Sequence, residues 1–307
     1  KNRFFILIVL IFTFSNIFSD NVLGTKIDKK NNKTADLILF SYDRPMQLMA
    51  FLESIEKNVE GIGSIFVIYR SSDGEYEKGY KIVKDTFEFV KFLKQENPPY
   101  DFKELLLYSV FDNSSSDYFS FGVDDMIVTD PINFSECIDY LEEEKAYCFS
   151  LRLGTNIVRC YTINQDCGNP LFTKIENGIY KWQFCQGKGD WSLAASTDMT
   201  VYRKKDFNDL FNNLEYKNPN VFEALWIANA DNRQFGICYE FSKVINIPVN
   251  IVQDQKWHRA MNFLDTKELL EEFLDGTRID IHEVAESMQK KRNESPHIAY
   301  VPHFIFQ

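Results

Sequence analysis

An alternation of apolar runs and amphipathic segments constrains the fold of this chain more than any other feature of the sequence. Residues 36–41 (DLILFS) are almost continuously apolar over the length of one strand, as expected for a strand that is buried on both faces. A polar turn (DRP) interrupts this run, and apolar side chains then recur at helical spacing over residues 48–55. Residues 64–69 (SIFVIY) form a second strand-like run. A helix between two such strands predicts a parallel pair with a right-handed crossover, so the domain begins as a βαβ unit.

The same alternation continues and predicts an α/β fold. Strands are predicted at residues 89–93, 117–123 and 146–153, and helices at 76–86, 101–111 and 133–144. Beyond Gly154 the pattern is looser, and it predicts strands at 199–203 and 244–252 and helices at 206–214, from Pro219 onward, and at 266–274. We therefore expect a single Rossmann-like sheet, mixed but mainly parallel, that is flanked by helices.

The N-terminus has the composition of a targeting segment. Residues 1–19 combine a short basic start with an apolar stretch and a small residue near the end, which is typical of a secretory signal peptide or a signal anchor. Residues 20–34 are polar and are interpreted as a linker. Residues 35–307 are expected to form one domain, with a first half at about 35–155 and a second half at about 156–307. These assignments predict a protein of the secretory route that is secreted or tethered to a membrane.

The net charge of −11 limits the classes of partner. An acidic chain does not attract nucleic acid or anionic lipid through its overall field, and a diphosphate would need local help from a metal ion or from placed cationic side chains. The six cysteines lack the paired spacing of a zinc site. Since the secretory route permits disulfides, one bridge among Cys160, Cys167 and Cys185 is open from the sequence.

Two adjacent carboxylates, Asp124 and Asp125, follow directly on the predicted strand at residues 117–123. Ligands of open α/β sheets bind at the carboxyl ends of the strands, where this pair is expected to lie. Neighbouring carboxylates repel each other and raise each other's pKa unless a cation lies with them, and Mg²⁺ or Mn²⁺ is a suitable hard cation. The alternative is an ordinary turn, which Asp residues also favour.

The order of these elements and the position of the Asp pair resemble the GT-A class of nucleotide-sugar glycosyltransferases. Residues 40–45 (FSYDRP) are similar to the opening turn of that class, which faces the nucleotide base, and residues 67–73 (VIYRSSD) resemble its second strand and ribose-contacting loop. Residues 151–154 (LRLG) resemble the strand that lines the sugar and acceptor side. The resemblance implies metal-dependent transfer of a sugar from a UDP- or GDP-sugar to an acceptor hydroxyl, with a carbohydrate-bearing acceptor expected. It also implies that the first half of the domain, at about 35–155, is the donor half, and that the second, at about 156–307, is the acceptor half.

The resemblance also implies the residues of the site. Asp125 and Asp124 would hold Mn²⁺ or Mg²⁺ on the donor diphosphate, and His297 is a candidate for the late histidine that some members of the class use as a further metal ligand. Trp191, in a glycine-rich segment, is the candidate for stacking on the acceptor sugar. The expected donor-binding residues are Ser41, Tyr42, Asp43, Arg44, Tyr69, Arg70, Asp73, Asp124 and Arg152.

Inverting members of the class use an acid from the second half of the domain as general base. Three residues compete for this role, namely Glu223 near a helix start, Asp190 in the segment GKGDW, and Asp198 at the entry to a strand. Glu223 has the expected placement and Asp190 lies beside an aromatic residue, so these two are favoured over Asp198. A retaining mechanism would need no such base.

Two other functions are compatible with a similar sheet. A nucleotidyltransferase would usually carry a glycine-rich basic loop after the first strand, and the turn at residues 41–45 has none. A secreted, non-catalytic carbohydrate- or nucleotide-binding protein could keep the sheet, but it would have no need for a carboxylate pair at a strand end. Metal dependence of nucleotide binding distinguishes this binding protein from the transferase.

Overall fold

The computed structural model describes residues 33–160, 165–247, 249–250, 252, 264–290 and 304–306. The predictions for the signal segment, for residues 20–32 of the linker and for His297 lie outside this part of the chain. The described helices are α1 (Pro45–Asn58), α2 (Gly74–Thr86), α3 (Phe102–Leu107), α4 (Phe134–Glu143), α5 (Asn208–Asn213), α6 (Pro219–Asn229), α7 (Thr266–Leu274) and α8 (Ile281–Lys290). The described strands are β1 (Ala35–Tyr42), β2 (Val59–Glu60), β3 (Ile62–Arg70), β4 (Lys91–Lys94), β5 (Tyr118–Val123), β6 (Met126–Val128), β7 (Ile132–Asn133), β8 (Cys148–Gly154), β9 (Arg159–Cys160), β10 (Gln165–Asp166), β11 (Thr173–Lys174), β12 (Ile179–Gln183), β13 (Thr200–Arg203), β14 (Phe235–Tyr239), β15 (Val244–Asn246), β16 (Thr277–Ile279) and β17 (Phe304–Phe306).

Nine of these strands form one mixed sheet in the order β11-β12-β14-β8-β13-β5-β1-β3-β4. The strands β4, β3, β1 and β5 are mutually parallel, and β8 and β14 form a second parallel pair. The strand β13 lies between these groups and is antiparallel to both β5 and β8. The two groups therefore run in the same direction, and the sheet is mainly parallel, as predicted.

The first strand shows why this sheet is covered on both faces. Side chains alternate along a strand, so Leu37 and Leu39 join one buried apolar cluster while Ile38 and Phe40 join another on the opposite face. The apolar stripe of α1 packs into the first cluster, and the aromatic side chains of α6 pack into the second. The continuously apolar run in the sequence is thus a central strand between two layers of helices.

The direction of β13 brings three chain segments to one edge of the sheet. The carboxyl ends of β5 and β8 lie at that edge because the two strands run in the same direction. Since β13 runs the opposite way, its amino end also lies there, and Asp198 comes just before it. Residues 124–125, 152–154 and 190–199 are therefore neighbours at the edge where open α/β sheets bind their ligands.

The structure differs from the sequence prediction in several elements. Of the strand predicted at 244–252, the structure shows β15 as a strand, and the Ile247 amide makes a last hydrogen bond to its register partner Asp125 (2.6 Å). The strands β12 and β14 were not predicted. The helix predicted at 101–111 consists of α3 followed by one π-helical turn at Tyr108–Asp112.

Two further findings concern the cysteines and the membrane. All six cysteines are free thiols, so the bridge left open from the sequence is not formed. Among the helices of the described residues, none is both long and apolar enough to cross a membrane. The described residues from Lys33 onward belong to one compact unit.

Candidate functional site

The Asp pair lies at the end of β5 and is bridged by a guanidinium. Arg44, the residue before α1, contacts Asp124 Oδ1 at 3.0 Å and Asp125 Oδ2 at 3.1 Å, both through Nη1. The other two carboxylate oxygens accept hydrogen bonds, Asp124 Oδ2 from the Tyr42 amide (3.1 Å) and Asp125 Oδ1 from Asn246 Nδ2 (3.3 Å). The cation that the sequence required beside these carboxylates is therefore supplied by the chain itself.

Arg44 is held from the other side by Asn250. Its Nε donates to Asn250 Oδ1 at 2.7 Å and its Nη2 donates to the Asn250 carbonyl oxygen. Gln47 on α1 also donates to Asn250 Oδ1 (3.4 Å), and these side chains are buried. Burial alone would lower the pKa of Arg44, but the two carboxylates outweigh it and raise this pKa, so the guanidinium stays charged.

Burial and the neighbouring carboxylate together raise the pKa of Asp124. Its side chain is 6% exposed, and burial is the largest cause of a pKa of about 6. Arg44 lowers this pKa, whereas the charge of Asp125 raises it. The repulsion predicted from the sequence is thus present, but Arg44 acts on this pKa more strongly than Asp125 does, and burial is what leaves the pKa raised.

A second charged cluster surrounds Arg152 on β8. Its guanidinium pairs with Asp190 Oδ2 (3.3 Å, from Nη1) and with Asp198 Oδ2 (3.1 Å, from Nε). Glu223 on α6 also raises the pKa of Arg152 through its charge. The structure therefore brings together all three candidates for the general base, around one buried arginine, although they are far apart in the sequence.

The three acids differ in their remaining contacts. Asp190 Oδ1 accepts a hydrogen bond from the Cys160 thiol (3.2 Å), and Glu223 Oε1 accepts two from Thr197, one from its amide (2.6 Å) and one from its hydroxyl (2.9 Å). The pKa of Asp198 is raised to about 6. Burial is the largest cause, Arg152 lowers this pKa, and the charges of Glu223, Asp125 and Asp190 contribute to the rise.

The two clusters form one electrostatic unit. The charge of Asp125 contributes to the raised pKa of Asp198, so the Asp pair and the Arg152 cluster lie within range of each other. Among the residues that the structure describes, five carboxylates (Asp124, Asp125, Asp190, Asp198 and Glu223) and two guanidiniums (Arg44 and Arg152) lie there. An excess of negative charge at a strand edge favours a bound cation.

Three of the predicted donor-binding residues lie at the ends of β1 and β3. The guanidinium of Arg70 covers the ring of Tyr42 at 4.4 Å from the ring centroid. Asp43 has a positive φ of 52° and accepts a hydrogen bond from the Ser72 amide (2.8 Å). Burial raises the pKa of Asp43. This turn therefore presents an aromatic face, a guanidinium and a carboxylate next to the Asp pair.

Three other predicted donor-binding residues are engaged inside the fold. The Ser41 hydroxyl is hydrogen-bonded to the Tyr80 hydroxyl (2.7 Å), and the Tyr69 hydroxyl donates to Glu77 (2.9 Å). Asp73 caps α2 by accepting from the amides of its first turn. These contacts give each residue a structural role, and their part in donor binding stays a prediction.

The exposed stacking face expected at Trp191 is not present in the structure. The side chain is fully buried, its Nε1 donates to the Ile157 carbonyl oxygen (2.9 Å), and its ring packs edge-on against Trp182 at 5.0 Å. A Cβ added at Gly187 would lie 2.3 Å from the Trp191 carbonyl oxygen. The glycine-rich sequence thus allows close packing around a core tryptophan and does not make a mobile platform.

The oxygen atoms around the Asp pair fit a hard divalent cation. Asn246, which is held beside Asp125, has its side-chain oxygen buried without a hydrogen-bond partner. Carboxylate and carboxamide oxygens are the ligands that Mg²⁺ and Mn²⁺ accept. No group of three or more His, Cys, Asp or Glu residues with metal-binding geometry occurs among the described residues. Sequence analysis did not identify Asn246 or Asn250, because nothing local distinguishes them.

Comparison with known proteins agrees with the resemblance seen in the motifs. The chain is similar to the bifunctional glycosyltransferase pgtA of Dictyostelium discoideum, with 27% identity over 251 residues that cover 71% of this chain and 32% of the relative. The chain therefore spans about a third of the length of that protein. No protein-family model matches it.

Solved structures with a related arrangement are more distant. S. aureus TarS in complex with UDP matches with 11% identity and a TM-score of 0.43 over 67% of this chain and 58% of TarS. GalNAc-T7 with UDP, GalNAc and Mn²⁺ matches with 10% identity and a TM-score of 0.44 over 70% of this chain and 44% of that protein. Scores at this level carry no information on the chemistry of the present chain.

Proposed function

We propose that this chain is a metal-dependent glycosyltransferase that moves a sugar from a nucleotide-diphosphate sugar, with UDP-sugars as the first candidates, to an acceptor hydroxyl. The observation that carries the proposal is the pairing of two acidic clusters at one sheet edge, the Asp124–Asp125 pair and the acids around Arg152. Sugar transfer needs a site that neutralises a leaving diphosphate, and an inverting transfer also needs a second site that activates the acceptor. The similarity to a glycosyltransferase over most of the chain supports this assignment.

The Asp pair and Asn246 would hold the metal, and the turn after β1 would hold the nucleotide. A bound Mn²⁺ or Mg²⁺ supplies Lewis-acid stabilisation of the charge that develops on the departing diphosphate. Tyr42 and Arg70 offer a stacked aromatic and cationic surface for the base, and Asp43 lies beside them. The backbone amide of Tyr42 fixes Asp124, which ties the nucleotide turn to the metal pair.

For an inverting reaction, Asp198 is the general base that the surroundings support best. Its pKa of about 6 lies near physiological pH, as an efficient base requires, and its carboxylate is within electrostatic range of Asp125. Asp190 is held between Arg152 and Cys160, and Glu223 is bound by Thr197, the residue before Asp198. These two acids are therefore proposed to position Asp198, which revises the preference for them that the sequence alone gave.

A thermal-shift panel tests the donor site. UDP-, GDP- and other nucleotide-sugars are added with and without Mn²⁺ to the unsubstituted chain, to Asp125→Ala and to the exposed control Asp166→Ala. A donor at about 100 times its Kd should stabilise the fold by about 2.7 kcal/mol. We expect a metal-dependent shift in the chain and in Asp166→Ala, and none in Asp125→Ala. Absence of any shift in a folded sample would remove the donor-site assignment.

One observation favours a second function, that of a non-catalytic binding protein. All four oxygens of the Asp pair already have protein donors, so the pair is satisfied without a metal. Such a protein would bind a nucleotide or glycan equally well in the presence of EDTA, and it would not consume a UDP-sugar. Release of UDP from a donor, with water or a glycan as acceptor, separates the two functions.

A further inference from the structure

Arg44 places a positive charge against both carboxylates of the Asp pair, where a divalent cation would compete with it. Its Nη1 atom is within 3.1 Å of one oxygen of Asp124 and one of Asp125. The other oxygen of each carboxylate is bound by Tyr42 or by Asn246. A metal ion that bridges the two carboxylates therefore needs oxygens that the guanidinium already holds.

The guanidinium has a second anchor that does not involve the carboxylates. Nε and Nη2 both donate to Asn250, one to the side chain and one to the backbone. The backbone of Arg44 is itself fixed, because its carbonyl oxygen accepts the first hydrogen bond of α1 from Leu48 (3.0 Å). Because the guanidinium is a rigid plane, Nη1 can leave the carboxylates only if the hydrogen bonds to Asn250 also rearrange. The fixed backbone still keeps the released side chain at the site, where it needs another anion as partner.

We propose that Arg44 is the resident counter-ion of the Asp124–Asp125 pair, and that a divalent cation reaches this pair only by displacing Arg44 from it. The proposal rests on the proposed function in one respect, since the anion that takes the released guanidinium is the donor diphosphate. The exchange links the two ligands: the metal takes the carboxylates, the diphosphate takes Arg44, and each binds more tightly when the other is present. Mn²⁺ alone binds weakly because Arg44 competes with it.

Binding of Mn²⁺ without any nucleotide tests the competition directly. The free ion is measured by electron paramagnetic resonance at pH 7.5 in the unsubstituted chain, in Arg44→Met and in Arg233→Met. Methionine fills the space of the arginine stem without a charge, so Arg44→Met should bind Mn²⁺ at least tenfold more tightly. Arg233→Met removes an 80% exposed guanidinium that pairs with Asp231. This control should leave Mn²⁺ affinity unchanged within about twofold.

Addition of UDP tests the exchange of partners. After correction for the Mn²⁺–UDP complex in solution, UDP should raise Mn²⁺ affinity by a larger factor in the unsubstituted chain than in Arg44→Met. A chain that binds no UDP loses the donor-site assignment, while the measurement on Mn²⁺ alone still decides the role of Arg44.

Equal or weaker Mn²⁺ binding by folded Arg44→Met would overturn the proposal. If that variant does not fold, Arg44→Lys decides the question. A lysine ammonium is a point charge that cannot contact two carboxylates and Asn250 together, so it should compete less and give a several-fold gain in Mn²⁺ affinity. No gain in Arg44→Lys would also overturn the proposal.

Discussion

Arg152 is the residue on which the second acidic cluster depends. Its guanidinium is buried and pairs with Asp190 and Asp198, and the charge of Glu223 also acts on it. Arg152→Met leaves these carboxylates without their cation, and breaking a buried pair in this way costs about 3–5 kcal/mol. We therefore expect a loss of this size in the free energy of unfolding at pH 7.5, measured by urea denaturation.

A surface ion pair provides the control for this substitution. The Arg233 side chain is 80% exposed and pairs with Asp231, so Arg233→Met should change the free energy of unfolding by less than about 1 kcal/mol. An Arg152→Met variant that is as stable as Arg233→Met would show that the three acids do not depend on Arg152.

Asp198 should make stability depend on pH in a predictable direction. Its folded-state pKa of about 6 lies above the ordinary value of 3.8, so the folded state binds the proton more tightly than the unfolded state. This contribution to stability is fully present below about pH 4 and is lost as the pH rises through 6. Asp198→Asn cannot titrate at this position. Between pH 4 and 7, the free energy of unfolding of this variant should therefore decrease by about 1–3 kcal/mol less than that of the unsubstituted chain.

Urea denaturation in EDTA over this pH range provides the measurement. The matched control is Asp166→Asn, because the Asp166 side chain is 81% exposed and lies outside the cluster. Its pH dependence should follow that of the unsubstituted chain. Identical slopes for Asp198→Asn and Asp166→Asn would show that Asp198 has an ordinary pKa.

The sequence predicted that the Asp pair needs a cation, but it did not predict which residue supplies that cation. Adjacent carboxylates at a strand end require a cation, and a cation is present, but it is Arg44, which lies 80 positions earlier and reaches the pair only through the fold. Asn250 holds that arginine from 206 positions away, which no local pattern reveals. Trp191 shows the opposite limitation, since its glycine-rich segment led to the prediction of a stacking face, and the structure uses the glycines to pack closely around a buried ring.

At the scale of elements, the hydrophobic pattern of the sequence predicted helices and strands best where an element buries a regular stripe of apolar side chains. The predicted helix at residues 48–55 lies within α1, and the predicted strands at 36–41 and 117–123 correspond closely to β1 and β5. The strand β12 (IYKWQ) mixes polar and aromatic side chains, and β14 (FGICY) has a glycine near its start. They become strands because β14 pairs with β8 and β12 pairs with β14. Their pairing partners, not their own sequences, decide their structure.

Gly122 in β5 shows how closely α1 is packed behind the Asp pair. A Cβ at this position would lie 2.8 Å from Phe51 on α1 and 2.9 Å from Leu39 on β1, and both side chains are fully buried. Gly122→Ala should therefore overpack the core and lower the free energy of unfolding by about 1–3 kcal/mol. Because Asp124 follows two residues later, the same variant should also weaken Mn²⁺ binding.

Gly74, the first residue of α2, is the matched control for this glycine. A Cβ there meets nothing within 4 Å, so Gly74→Ala should be neutral or slightly stabilising. Thermal and urea unfolding of the two variants compare the same chemical change at a crowded and at an open position. Equal stabilities would show that α1 can move away from β5 at no cost.

At the scale of the whole molecule, the division into a donor half and an acceptor half does not correspond to two separate sheets. The strand β13, from the second half, is inserted between β5 and β8 of the first half, and β14 pairs with the other side of β8. Arg203 on β13 donates to the carbonyl oxygens of Leu141 and Ala146, which end α4 and lead into β8. The order of elements along the sequence could not show this insertion, because strand order in a sheet is a tertiary property.

The insertion of β13 predicts that residues 33–155 cannot fold alone. Without the second half, β8 has no neighbouring strand in the sheet and β5 has an open edge. Asp36 would also remain buried without Lys204, whose Nζ lies 2.7 Å from its carboxylate. We therefore expect this fragment to lack a near-ultraviolet circular dichroism signal and a cooperative urea transition, whereas the full chain unfolds in one transition. Lys204→Met in the full chain isolates the ion pair and should cost about 3–5 kcal/mol while cooperativity remains. A fragment that unfolds cooperatively would mean that the donor half is an independent domain and that β5 and β8 are stable without β13 between them.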